Sequence, residues 1–185
     1  MGRKKKVDSS IKNNLSYEGK VIISFLNKKT NKIISKKTYK NNGTNFLFSF
    51  LAYCFCGNYT SAEPLRPLYI QIFKGGEINS IIGETISFNN PKTVKIIIID
   101  KPTFQVDDNK GSITYEVRIP AKSINNIEEC NLFGLFCSEN YTSNNKPSAY
   151  FLIKNDDGTW GKLKNENTSS DTVIIVNWVL EISNK

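Results

Sequence analysis

The side chains capable of chemistry in this 185-residue chain are few. Histidine is absent. The commonest general base and metal ligand is therefore missing, and neither Ser-His-Asp nor Cys-His catalysis can be assembled. Four cysteines fall as Cys54-x-Cys56 and as Cys130 with Cys137. Structural zinc needs knuckles that turn the chain around the ion, whereas these cysteines sit in apolar runs. They read as buried thiols of a reducing compartment rather than as ligands. Acidic pairs stand at Asp107-Asp108, Glu128-Glu129 and Asp156-Asp157. Two carboxylates across a cleft are the apparatus of glycoside hydrolysis. DDNKG and NDDG are instead turn sequences, in which Asp bonds nearby backbone, and DDNKG lacks the ligand density of a calcium loop. No phosphate-binding loop, dinucleotide fingerprint or nucleophile elbow occurs. The expectation is a non-enzymatic chain with no cofactor and no metal.

Charge is the other resource. The formal net charge is +8, and half of it lies near the start, where Arg3, Lys4, Lys5, Lys6 and Lys12 face Asp8 alone. Residues 1–16 are polar and aperiodic and read as a flexible basic arm for binding a partner. Such an arm seeks nucleic acid or an acidic groove on another protein; a solubilising tail without a target is the plain alternative. No apolar leader follows it, MGRKKK lacks the Ser or Thr of a myristoylation signal, and no run is long enough to span a membrane. Asn-x-Ser/Thr triplets at Asn14, Asn42, Asn58, Asn140 and Asn167 read as chance matches in an Asn-rich chain.

The elements behind these residues are strands. In DTVIIVNWVLEIS, Ile174, Val176, Trp178, Leu180 and Ile182 alternate, which predicts a long strand with one buried face. GKVIISFL places Val21, Ile23 and Phe25 on one face, and with IISKKTYK it forms a hairpin across NKKTNK. Lys28, Lys29, Lys32, Lys36 and Lys37 on that hairpin read as edge protection. NNGT predicts a turn, with Thr44 or Asn45 as helix cap. Phe46, Leu47, Phe50, Leu51 and Cys54 then share a helical face, and Gly57 ends the helix. The helix is apolar nearly all round, so it should plug one end of the fold or lie under a neighbouring subunit. PLYIQIFKG alternates, and TVKIIIIDKP reads as a buried central strand. TFQV and SITYEVRIP form a second hairpin with Ile113, Tyr115, Val117 and Ile119 inward. CNLFGLFCS is a strand with a bulge expected at Gly134. SAYFLIK and TWGKL complete about nine strands. The fold class is mainly β, an antiparallel β-sandwich or jelly-roll-like domain over residues 17–185 with one short apolar helix.

The order of these elements resembles a unit of small structural proteins of tailed bacteriophages. Gly19-Lys20-Val21, Thr30 to Lys32, Asn42-Gly43-Thr44 and the helix from Asn45 to Cys56 match its "GKV-x-I" strand, "T-x-K" hairpin, "N-x-GT" turn and apolar helix. Ile127, Glu129, Gly134, Leu135, Phe136 and Ser138 stand near its "I-x-E-x-GLF-S" strand, with an insertion between Glu129 and Gly134. Trp178, Leu180, Ile182 and Asn184 match its "I-x-W-x-I-x-I-x-N" closing strand. The resemblance spans residues 17–184 in outline, through short motifs, and supplies no catalytic residues.

The resemblance implies a virion protein assembled in the bacterial cytoplasm. The leading expectation is a capsid auxiliary or decoration protein that binds major capsid, tail or fibre proteins and sometimes its own copies. No membrane partner is expected, and charge alone gives only non-specific contact with nucleic acid. A head-fibre or tail protein is the alternative within that class. A carbohydrate-binding module is the alternative outside it, suggested by Tyr17, Tyr39, Tyr59, Tyr69 and Tyr141 near loops and strand ends.

Overall fold

Alternation assigns faces to strands; neighbours come only from the tertiary structure. The computed structural model describes residues 15–74, 78–82, 85–88, 92–107, 110–124, 130–137, 148–153, 163 and 171–184. In chain order the elements are β1 (Leu15–Asn27), β2 (Lys32–Lys40), β3 (Asn42–Gly43), α1 (Asn45–Phe55) and α2 (Tyr59–Ala62). There follow β4 (Pro67–Lys74), β5 (Ile78–Ile82), β6 (Thr85–Phe88), β7 (Lys92–Ile98), β8 (Thr103–Asp107) and β9 (Lys110–Pro120). The last three are β10 (Cys130–Cys137), β11 (Ala149–Leu152) and β12 (Thr172–Asn184).

The protein is mainly β. One sheet has the order β2-β1-β12-β9-β8 and the other β3-β11-β10-β4-β7, while β5 and β6 form a separate hairpin. The pairings are antiparallel. The two thirteen-residue strands β1 and β12 pair from Leu15 opposite Asn184 to Asn27 opposite Thr172. Leu15 and Ser16, read from sequence as part of the arm, thus belong to the sheet.

The faces expected from period two are the faces buried. Val21, Ile23 and Phe25 of β1, Tyr115, Val117 and Ile119 of β9, and Ile174, Val176, Trp178 and Leu180 of β12 enter one core. Ile70, Ile72, Phe133, Leu135 and Phe151 of the other sheet meet them there, so the two sheets close face to face. Phe151 is the hub. It stacks on Phe133 with centroids 4.7 Å apart and on Tyr39 at 5.1 Å, and it meets Trp178 edge-on at 5.7 Å. The second sheet is apolar on its other face too. There Tyr69, Phe73, Phe136 and Tyr150 form a separate buried cluster, and Tyr69 stacks on Phe136.

Three expectations change. The run TVKIIIIDKP is not a central strand: among the described residues β7 pairs with β4 alone, at the edge of its sheet, with Ile96 and Ile98 exposed. An unbroken β-branched run cannot signal whether its second neighbour exists. In β10, register shifts lie between Cys130 and Leu132 and between Phe136 and Cys137, not at Gly134. Gly134 pairs regularly with Gln71 and Tyr150. It is glycine because the Phe136 ring covers it: an added Cβ would come within 2.4 Å of a ring carbon. GNYTSAEPLRP (57–67), which the sequence predicts as a loop, holds α2 and a 3-10 turn at Glu63–Leu65. NDDG lies outside the described residues, as does TWGKL apart from Leu163, which is fully buried in the core and whose N–H donates to the Cys130 carbonyl at 3.2 Å.

α1 begins and ends by different means. Thr44 has extended backbone at the N-cap, but its side chain makes no capping bond. Its hydroxyl and its backbone N–H both donate to the Ser148 carbonyl at 2.9 Å, tying the helix start to the strand that begins at Ala149. At the other end Gly57 has φ +70, Asn58 N–H donates to the Tyr53 carbonyl and Gly57 N–H to the Cys54 carbonyl. That pair of bonds is a Schellman stop, which needs the left-handed glycine.

Candidate interaction surface

α1 closes one end of the sandwich, as its apolar pattern suggests, but it does so incompletely. Leu47 is fully buried, and Phe50 and Leu51 pack against the core. Phe48, Tyr53 and Phe55 are exposed. Apolar grooves flank the helix. One, of about 250 Å³, runs between Leu51 and Phe55 of α1 and Phe104, Val106, Ile113 and Ile182 of the first sheet. The other, of about 270 Å³, lies between Phe48 and Phe55 on one side and Tyr17 and Ile182 on the other.

Register explains why the first groove is open. Phe104 lies opposite Ile113 and Val106 opposite Gly111, so both share the core-facing side of the sheet. Each is nonetheless 79% exposed, and Phe55 is 67% exposed. A Cβ built on Gly111 would meet nothing within 4 Å. This corner of the inner face, apolar by pattern, therefore has no covering layer among the described residues. A contiguous exposed apolar patch of this kind is typical of a protein–protein contact.

The two edges of the first sheet differ sharply. β2 carries Lys32, Lys36, Lys37 and Lys40, and its pairing with β1 shifts register between Phe25 and Leu26. Half-buried Lys37 lies opposite Ile23, pointing a charge toward the core side. Lysines, inward charges and bulges all discourage edge-to-edge pairing. β8 has the sequence TFQVD, no basic residue and an unbroken register with β9.

Polar chemistry at the α1 end is structural. The Trp178 indole N–H can only donate, so the buried Asn41 amide must turn its Oδ1 to it. The amide nitrogen then donates to the Gly19 carbonyl at 3.2 Å and to the Tyr17 hydroxyl at 3.1 Å. A Cβ on Gly19 would collide with that amide. Burial pushes the Tyr17 phenol up to about 12, with the Asn41 bond acting the other way. Burial also raises Tyr115 and Tyr39, so these phenols stay neutral at ordinary pH. On the outer face of the sheet, Glu181 accepts from Lys20 at 2.6 Å and Lys110 at 2.8 Å. Those two bonds, Lys110 first, hold its carboxyl below the usual range.

The sequence-predicted site residues are dispersed. Arg3, Lys4, Lys5, Lys6 and Lys12 of the basic arm lie outside the described residues, as do Asp108, Glu128, Glu129, Asp156 and Asp157. Cys130 and Cys137 are buried as expected, but Cys54 is half-buried and Cys56 exposed, because the final turn of α1 faces solvent. The tyrosines do not form one rim. Tyr69 is buried, Tyr17 and Tyr39 are half-buried, Tyr59 is exposed, and Tyr141 lies outside the described residues. Among the described residues, no three His, Cys, Asp or Glu side chains are grouped to hold a metal ion, and no helix is long and apolar enough to cross a membrane. Sequence reasoning missed the open β8 corner and the Asn41 network. The first had a signal: TFQVD is apolar on alternate positions and, unlike KIISKKTYK, carries no lysine. Comparison with protein-family models, curated proteins and solved structures finds no match.

Proposed function

We propose that this chain is a non-enzymatic structural component of a tailed-bacteriophage virion, an auxiliary or decoration protein that binds and stabilises neighbouring proteins on the capsid. The observation that carries this reading is the uncovered apolar corner formed by Phe55, Phe104 and Val106, a contact surface rather than a reaction cleft. The resemblance of the β1–β2 hairpin, α1 and β12 to phage structural proteins supplies the setting. The complete absence of histidine excludes Ser-His-Asp and Cys-His catalysis. The basic arm supplies a second contact, toward an acidic groove. The test is a proteomic and cryo-EM census of purified particles. Copy number tracking the capsid lattice is expected, and a shortened protein lacking residues 1–14 should stay folded but fail to incorporate. Absence from particles, or normal incorporation of the shortened protein at tail-like copy number, would overturn the capsid assignment.

A second reading is carbohydrate binding for host attachment. It draws on a polar cleft of about 430 Å³ where Glu18, Lys40 and Asn42 stand near the exposed Phe48 ring. An aromatic face beside polar groups is what a sugar ring needs. Glycan-array binding abolished by Phe48→Ala would favour this reading over the first.

A further inference from the structure

We propose that β8 is a self-pairing edge: two copies of this chain join β8 to β8 in antiparallel register about a two-fold axis through Gln105, making the two five-stranded sheets one continuous sheet.

The edge is fit for pairing. β8 is five residues long, regular in register with β9, and contains neither Lys nor Pro. The other edge of the same sheet carries four lysines and a register shift. Protection at β2 and its omission at β8 fit an edge that is meant to be occupied.

The occupant is argued from self-complementarity. With Gln105 on the axis, Phe104 lies opposite Val106 of the second copy, and Thr103 lies opposite its Asp107. The core-facing side then pairs apolar with apolar, twice by symmetry. The outer side pairs polar with polar, and exposed Lys101, two residues before the strand, comes at the end of the pair where Asp107 of the second copy lies, so charges of opposite sign meet. Phe104 and Val106, each 79% exposed in the single chain, gain apolar neighbours in the pair. Exposed Ile98 on β7 lies on the same side of the sandwich, since one cavity is lined by Ile98 together with Thr103 and Thr114. This inference does not rest on the virion reading: its failure leaves particle incorporation untouched, and the converse also holds.

Analytical ultracentrifugation of the full chain over a wide concentration range tests it. A reversible dimer is expected. Gln105→Lys sets two like charges face to face on the axis and should weaken the dimer about tenfold or more. Lys36→Gln, on the opposite edge, should not weaken the dimer. Folding of each variant is checked by circular dichroism. The register is tested by disulfide capture in a Cys54→Ser, Cys56→Ser background. Gln105→Cys should cross-link to dimer under mild oxidation, whereas Thr103→Cys, offset from its own copy, should not. A chain that stays monomeric throughout, including the case where β8 captures only a strand of another protein, overturns the proposal. So does a dimer indifferent to Gln105→Lys, or equal cross-linking at positions 103 and 105.

Discussion

The β2 and β8 edges bound the same sheet and meet the same solvent, yet their chemistry is opposite. β2 presents Lys32, Lys36, Lys37 and Lys40 and turns Tyr39 inward onto Phe151. β8 presents Thr103 and Gln105 outward and leaves Phe104 and Val106 uncovered on the core-facing side. Strand propensity does not account for this, because both segments alternate. What differs is the layer beneath. Under β1 the second sheet supplies Phe151, so the inner face there is sealed, while Tyr39 of β2 rests on the same ring and the rest of the β2 edge stays half-buried or exposed. Under β8 the nearest cover is α1, which ends at Phe55, and a groove of about 250 Å³ is left.

The largest contrast lies in packing. Trp178 is fully buried, so Trp178→Ala should cost about 3–5 kcal/mol. Phe104→Ala, at the open edge, should stay within about 0.5 kcal/mol. Urea denaturation of both variants measures the contrast. A Phe104→Ala cost comparable with that of Trp178→Ala would mean the β8 corner is covered within the single chain.

Next in size is the polar lock on the sealed side. Gly19→Ala drives a Cβ into the Asn41 amide and should cost about 1–3 kcal/mol through the displaced network. Trp178→Phe keeps an aromatic ring but strands the Asn41 oxygen, at about 1–3 kcal/mol. Gly111→Ala, beside the open groove, meets no neighbour and should be close to neutral by the same denaturation measurement.

A smaller effect depends on pH. Glu181 bridges Lys20 of β1 and Lys110 of β9 across β12, and its folded-state pKa lies below the ordinary 4.5. A depressed carboxyl contributes stability above its unfolded pKa and loses it as pH falls through the folded value. The contribution should therefore be complete at neutral pH and fade below about pH 4.5. Since both lysines are partly exposed, Glu181→Gln should cost only about 0.5–1 kcal/mol at pH 7 and nothing at pH 2. Chemical denaturation of the two proteins across pH 2–7, with converging midpoints at the acid end, is the expected result.

The smallest effect on stability is at β2. Lys36→Thr with Lys37→Thr should shift the unfolding midpoint by less than about 0.5 kcal/mol, while light scattering shows faster association through an edge no longer defended. Unchanged association would remove the protective role assigned to these lysines.

Much of the fold was legible in the sequence because period two is a local property. The faces of β1, β9 and β12, the β1–β2 and β8–β9 hairpins, the span of α1 and its stop at Gly57 all follow from residues close together in the chain. The same locality set the limit. TVKIIIIDKP read as central because an apolar run reports hydrophobicity but not the number of neighbouring strands, and among the described residues β7 has one. Gly134 suggested a bulge, yet its reason for being glycine is the Phe136 ring above it.

The candidate surface divides in the same way. The sequence by itself determined that Phe104 and Val106 share a face, that β8 lacks the lysines of β2, and that α1 is apolar nearly all round. Only the tertiary structure decided that β8 lies at an edge, that α1 ends before covering it, and that Asn41 satisfies Trp178 from the far end of the chain. Whether an apolar side chain is buried depends on the layer that lies opposite it, and that layer comes from segments remote in sequence, brought there by the closing of one sheet on another.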